Sequence, residues 1–149
     1  DGEKLTLNKM RARFGVDPKK AEPCFYNQDW YLRERFARET TLDSRWYLIR
    51  KSVIEQSRGR EPGECAGALP PGEMLPPAVL TAFSFFAYYF VTGGEMLWEH
   101  DFVWCGDTDG NGDRVYTGRY RDPRGVNANG FNVHRHLSLR PCFGAAPMK

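Results

Sequence analysis

The stretch WEHDFVWCGDTDGNGDRVYTGRYRDPRGVNANGFNVHRHLSLRPCFG (98–144) decides how this chain is read. Short aromatic and β-branched runs alternate in it with glycine-rich turns, the pattern of strands joined by tight or loop connections. Strands are expected at 101–105, 114–120 and 131–140. The last alternates most clearly: Phe131, Val133, Arg135, Leu137 and Leu139 share one face, while Asn132, His134, His136, Ser138 and Arg140 share the other. Arg135 apart, this describes an antiparallel sheet with an apolar side on a core and a polar side in water.

Working back from the sheet, Pro76-Pro77 open a helix where proline is tolerated, and Gly93-Gly94 close it. Residues 78–91 between them are apolar almost throughout, with Val79, Leu80, Phe83, Phe85, Phe86, Tyr88, Tyr89 and Phe90. That run is shorter than the ~20 residues a bilayer span requires, so a central core helix is expected. Residues 55–77 carry Gly59, Pro62, Gly63, Gly67, Pro70, Pro71 and Gly72, and read as an irregular excursion that returns to the body. Residues 45–54 (RWYLIRKSVI) place apolar side chains on both alternating sets, as an interior strand covered on two sides would. The N-terminal region, residues 1–44, reads as helical. A short helix at 5–14 stops at Gly15, and a second, from 29 to about 39, is capped by Asn27 and carries Trp30, Arg33, Phe36 and Ala37 at helical spacing. The whole, 1–149, is expected to form one α+β domain of two or three helices and a small, mainly antiparallel sheet.

Composition narrows the function classes. A formal charge of +2 is too small to argue for nucleic acid. Fifteen arginines against six lysines suit planar, bidentate contacts at an interface, or reflect codon preference. Cys24, Cys65, Cys105 and Cys142 form no CxxC pair, so they are read either as two disulfides or as four apolar thiols. The opening Asp-Gly-Glu-Lys shows no basic-then-apolar leader, which leans the reading toward the cytoplasm.

Two constellations could carry chemistry. Asp107, Asp109, Asn111 and Asp113 present oxygen ligands at alternate positions, like the first half of a Ca2+ loop, but the twelfth position is Gly118 and not Glu. The same Asp-Gly and Asn-Gly steps make an ordinary hairpin turn. His134 and His136 fall on one strand face and could chelate a metal with Cys105 or an aspartate of 107–113; alternatively they stack on tyrosine or pair with carboxylates. The run from Arg119 to Gly125 mixes cations with Tyr120, which could track a phosphate backbone, but in a nearly neutral chain a solvated hairpin edge is expected. No Gly-x-Ser-x-Gly, phosphate loop, dinucleotide fingerprint or HExxH occurs.

The order of helix, strand at 45–54, core helix at 78–91 and terminal sheet resembles the compact C-type-lectin-like fold. That fold is shared by the formylglycine-generating-enzyme group and the variable proteins of diversity-generating retroelements. The residues carrying the resemblance are Val103-Trp104-Cys105-Gly106 before a polar loop, Arg114 to Gly118 as the next strand, and Gly130-Phe131 leading to Leu139-Arg140-Pro141. The pieces beginning at Asn27 and Trp46 are also similar to uncharacterised proteins of uncultured small-genome bacteria. The Gly-Gly-Ser-Trp and Arg-x-Ala-x-Arg segments of the formylglycine-generating group are missing, as is a cysteine pair for its copper site. The sugar-binding Glu-Pro-Asn or Gln-Pro-Asp motif is missing too.

What the resemblance implies is recognition through the polar sheet face and its loops. Here that maps to Trp104, Asp107, Arg114, Tyr116, Arg119, Tyr120, Asn127, Asn129, His134 and His136. The first expectation is therefore a non-catalytic domain binding a protein or small ligand. The alternatives are an assembly domain of a surface or filament complex, and a metal- or thiol-dependent enzyme built on His134, His136, Cys105 and Cys142.

Overall fold

The structure, a computed structural model, describes residues 3–20, 22–119, 130–135 and 138–149. Helix α1 is Leu7–Phe14: the Thr6 hydroxyl accepts from the Lys9 N–H at its start, and Gly15 ends it at φ +71°. Helix α2 is Arg35–Arg38, one turn in place of the helix expected over 29–39. Before it the backbone makes separate turns, Leu32 N–H to the Asp29 carbonyl and Glu34 N–H to the Tyr31 carbonyl, both 3.0 Å. The cause is tertiary: the side chains of Gln28 and Trp30 both donate to the Val133 carbonyl, which holds this segment against the sheet.

Residues 55–77 are irregular as expected, but they contain a 3-10 turn at Glu55–Ser57 and a short helix α3 at Pro62–Gly67 with proline in its first turn. Helix α4 is Ala78–Thr92, and Gly93 in the left-handed region closes it. It buries Ala78 to Ala82 with Phe85 and Phe86. Its surroundings are less uniform than its sequence: Phe83, Phe90 and Val91 are 44%, 60% and 86% exposed, so one stripe of this apolar helix faces outward.

Four strands form one mixed, mainly antiparallel sheet in the order β3-β2-β1-β4. They are β1 (Phe102–Thr108), β2 (Arg114–Gly118), β3 (Asn132–Arg135) and β4 (Phe143–Gly144). β1 and β2 form a hairpin with a register shift between Trp104 and Thr108, β3 runs antiparallel to β2, and β4 runs parallel to β1. The strand expected over 131–140 is thus shorter. Phe131 makes a bridge to Phe25, residues 138–140 are not extended into the sheet, and 136–137 lie outside the described residues.

Both faces of this sheet are covered. On one, Val103, Cys105, Val115 and Val133 pack with Phe25 and Phe131 against Ala82, Phe85 and Phe86 of α4. Phe86 stacks on Phe14 of α1 with centroids 4.0 Å apart. A chain of buried polar contacts crosses the same boundary: the Thr117 hydroxyl donates to Thr81 Oγ1 (2.8 Å), Thr81 to the Ala78 carbonyl (2.9 Å), and Cys105 Sγ lies 3.5 Å from Thr117 Oγ1.

On the other face, Trp104, Tyr116 and Phe143 form a second apolar cluster with Cys65, Leu75 and Ala145. This overturns the expectation of a water-facing side. The excursion supplies the cover, clamped by Arg58, whose guanidinium holds Asp101 at 2.5 and 3.1 Å and Glu55 at 2.7 Å. Three rings at edge-to-face or tilted angles, Trp104, Tyr116 and Phe143, are too apolar a surface to leave in water.

The segment 45–54 is not an interior strand. It lies along the C-terminal residues, with Leu48 and Lys149 exchanging two backbone bonds (3.2 and 2.9 Å) and Arg50 N–H donating to the Pro147 carbonyl (3.0 Å). Ile49 is half-buried and packs on the main core, whereas Trp46 and Leu48 are 96% and 71% exposed. Apolar residues on both sides of this strand mark an edge with one face uncovered.

Candidate binding cleft

The β1–β2 hairpin ends in a turn built around Asp109. Its Oδ1 accepts from the N–H groups of Asn111 and Asp113, both at 2.9 Å, and its Oδ2 accepts from Arg135 Nη1 at 3.3 Å. Burial opposes ionisation here, but these donors outweigh it and hold the carboxyl below its ordinary range. Arg135 in turn lies 5.5 Å over the Trp30 ring. Asp107 points the other way: its Oδ2 accepts from the Ala78 N–H at 2.6 Å, at the start of α4. Burial pushes this carboxyl up.

These bonds fix a wall, and residues 34–40 stand opposite it. Glu34 Oε2 accepts from the Gly110 N–H at 2.8 Å, tying the two sides together at one end. Between them runs a cleft of about 690 Å³ lined by Glu34, Arg35, Phe36, Glu39 and Thr40 on one side and by 106–110 on the other. Glu39 is exposed and pairs with Arg35 at 3.2 Å. Arg114 Nη1 donates to the Gly106 carbonyl at 2.5 Å, bracing the hairpin from its second strand. Four carboxylates, Glu34, Glu39, Asp107 and Asp109, and one cation, Arg35, line a concave surface whose shape is set before anything binds.

Of the residues expected on a recognition face, Trp104 is fully buried, Tyr116 is 8% exposed and Arg119 is 3% exposed. Arg119 is held inside by Glu22 Oε1 at 2.8 Å and by Met96 Sδ at 2.7 Å. His134 is half-buried and stacks on Tyr116 with centroids 5.5 Å apart; burial, then the nearby charge of Arg140, lowers its pKa. Tyr120, Asn127, Asn129 and His136 lie outside the described residues. Asp107 and Arg114 do border the cleft or brace it.

The two chemical constellations separate. Cys105 contacts Thr81 of α4, whereas His134 stacks on the opposite sheet face, so the pair cannot share a ligand. Among the described residues no group of three or more His, Cys, Asp or Glu side chains is placed to hold a metal ion. In the 107–113 loop, Asp107 and Asp109 turn toward backbone and arginine donors, the arrangement of a hairpin turn and not of a converging Ca2+ shell. The four cysteines are free thiols, with Cys24, Cys65 and Cys105 buried. Burial pushes Cys105 up to about 12 and Cys24 up to about 11.

Sequence reasoning missed the whole 34–40 wall of the cleft, Glu34, Arg35, Phe36, Glu39 and Thr40, and Thr108 on the other. Glu34 and Gly110 are 76 positions apart, and no local pattern links them. Comparison with protein-family models, with curated proteins and with solved structures finds no match to this chain. None of the described helices is long and apolar enough to cross a membrane.

Proposed function

We propose that the protein is a non-catalytic ligand- or protein-binding domain whose recognition site is the cleft between residues 34–40 and the β1–β2 hairpin. The observation that carries this is the cleft's rigid construction: its hairpin wall is tied to α4 by Asp107, to β3 by Asp109 and to the facing segment by Glu34. A preformed concave surface loses little ordering entropy on binding. Its carboxylates suit a cationic group, such as a lysine or arginine side chain of a partner. The C-type-lectin-like resemblance of 98–144 supports the reading in kind, since recognition there also uses loops beside the sheet.

The thiols favour binding over nucleophilic chemistry. Burial keeps Cys105 and Cys24 protonated near neutral pH, and a protonated thiol is a poor nucleophile.

The test is an amide-resonance titration of the full chain with an arginine-containing hexapeptide and with its glutamate counterpart. Shifts confined to Gly106, Thr108, Gly110 and residues 34–40 are expected with the first peptide, and their loss in Glu39→Lys. Scattered shifts, or equal shifts with both peptides, would overturn the assignment of the cleft.

A further inference from the structure

The C-terminal segment is flanked on one side by Met74, which exchanges two backbone bonds with Met148 (3.0 and 2.9 Å), and on the other by 48–50. In the antiparallel pairing of 48–50 with 147–149, Leu48 and Arg50 direct their N–H groups inward. Tyr47 and Ile49 therefore direct theirs outward. Among the described residues, the N–H and C=O of Tyr47 and Ile49 meet no backbone partner. Segment 46–50 is thus a free strand edge, and its solvent side carries Trp46 at 96% and Leu48 at 71% exposure. Soluble proteins ordinarily blunt such an edge with charge, proline or a bulge. Here the charges, Arg45, Arg50 and Lys51, stand at the two ends, and neither charge nor proline lies between 46 and 49.

We infer that segment 46–50 pairs edge to edge with the same segment of a second copy of this chain, around a twofold axis at Tyr47. That register makes Tyr47 face Tyr47, places each Trp46 opposite the Leu48 of the other copy, and sets residue 45 against residue 49. Trp46 and Leu48 then form the non-hydrogen-bonded pairs, the closer kind at about 4.5 Å between Cα atoms, so the most exposed apolar side chains cover one another. Charge agrees with the register. A parallel in-register alignment would stack Arg50 on Arg50, whereas the antiparallel one sets the two Arg50 residues at opposite ends of the pairing. The edge lies away from the acidic cleft: no residue of 46–50 lines it. Pairing and cleft binding are therefore separate properties.

Sedimentation equilibrium of the full chain from roughly 1 µM to 1 mM tests this. The mass is expected to rise from one chain toward two, with the Ile49 amide becoming protected from hydrogen exchange. Trp46→Lys and Leu48→Lys should each weaken association roughly tenfold or more. Both side chains are exposed, so circular dichroism and Tm should stay close to wild type. An equimolar mixture of Trp46→Cys and Leu48→Cys chains should oxidise to the mixed disulfide faster than either alone. Three outcomes would overturn the inference: a wild type that stays monomeric, leaving the edge for a strand of another protein; dimers that survive both lysine variants; and self-disulfides of Trp46→Cys forming as readily as the mixed one.

Discussion

The Asp107 carboxylate accepts a hydrogen bond from the Ala78 N–H at 2.6 Å, so a residue of β1 caps a helix that begins 29 positions earlier. Helix α4 has no side-chain cap of its own, because Pro77 occupies the position before its first residue. The same bond ties the start of α4 to one wall of the cleft.

Asp107 is held above its ordinary pKa by burial, so its ionised form disfavours folding. With the folded value above the unfolded one, stability from this group is present at low pH and is lost as pH rises through the folded pKa. Asp107→Asn keeps an acceptor for Ala78 and removes the buried charge. It should raise Tm at pH 7, with the difference closing toward pH 4. Asp107→Ala leaves the helix start uncapped and should cost about 1–2 kcal/mol in urea unfolding near pH 4, and less at pH 7, where it also removes the buried charge. A lower Tm for the asparagine variant at pH 7 would contradict this.

Asp109 has the opposite sign. Its carboxyl is held below the ordinary range, so its contribution is present above the unfolded value near ~4 and fades as pH falls through the folded pKa. Asp109→Ala removes the acceptor for two backbone N–H groups and for Arg135, and should destabilise by about 2 kcal/mol at pH 7. Some of that penalty should vanish near pH 2–3. Chemical denaturation at the two pH values measures it.

Arg119 and Glu22 form an ion pair whose side chains are 4% and 28% exposed. Truncating one partner leaves a charge with reduced solvation, so Arg119→Ala should cost roughly 3 kcal/mol or more. A variant of this kind changes stability before it reports on recognition, which makes Glu39→Lys the cleaner probe of binding. Equal melting temperatures for wild type and Arg119→Ala would show that the pair is dispensable.

Thiol labelling should follow burial. Cys142 is the half-buried one and should react first with a disulfide reagent at neutral pH, while Cys105 should react only on unfolding. Thr81→Val and Thr117→Val remove opposite ends of one buried hydrogen bond, so their double-mutant cycle should show a coupling of about 1 kcal/mol. Strict additivity would mean that the two hydroxyls are satisfied independently.

Much of the element order was legible. Helix α4 was readable at both ends because Pro76-Pro77 and Gly93 act through their own backbone restrictions. The starts of β1 and β2 and the turn between them were readable from aromatic runs and Asp-Gly and Asn-Gly steps, which also act locally. The helix expected at 29–39 was not, since periodicity there is outweighed by two side-chain bonds to Val133 more than 100 residues away. The two-residue strand β4 is too short to leave a pattern.

What the chain determined by itself is its α+β character: local dihedral preferences and apolar spacing are properties of neighbours. Which surfaces stay wet was decided by tertiary structure alone. Alternation marks two sides of a strand, but whether Leu75 and Cys65 arrive to cover Trp104 and Tyr116, or whether anything arrives to cover Trp46, depends on where distant segments close. The cleft has the same origin, because Glu34 and Gly110 become neighbours through the path of the intervening chain, a relation that no window of sequence contains.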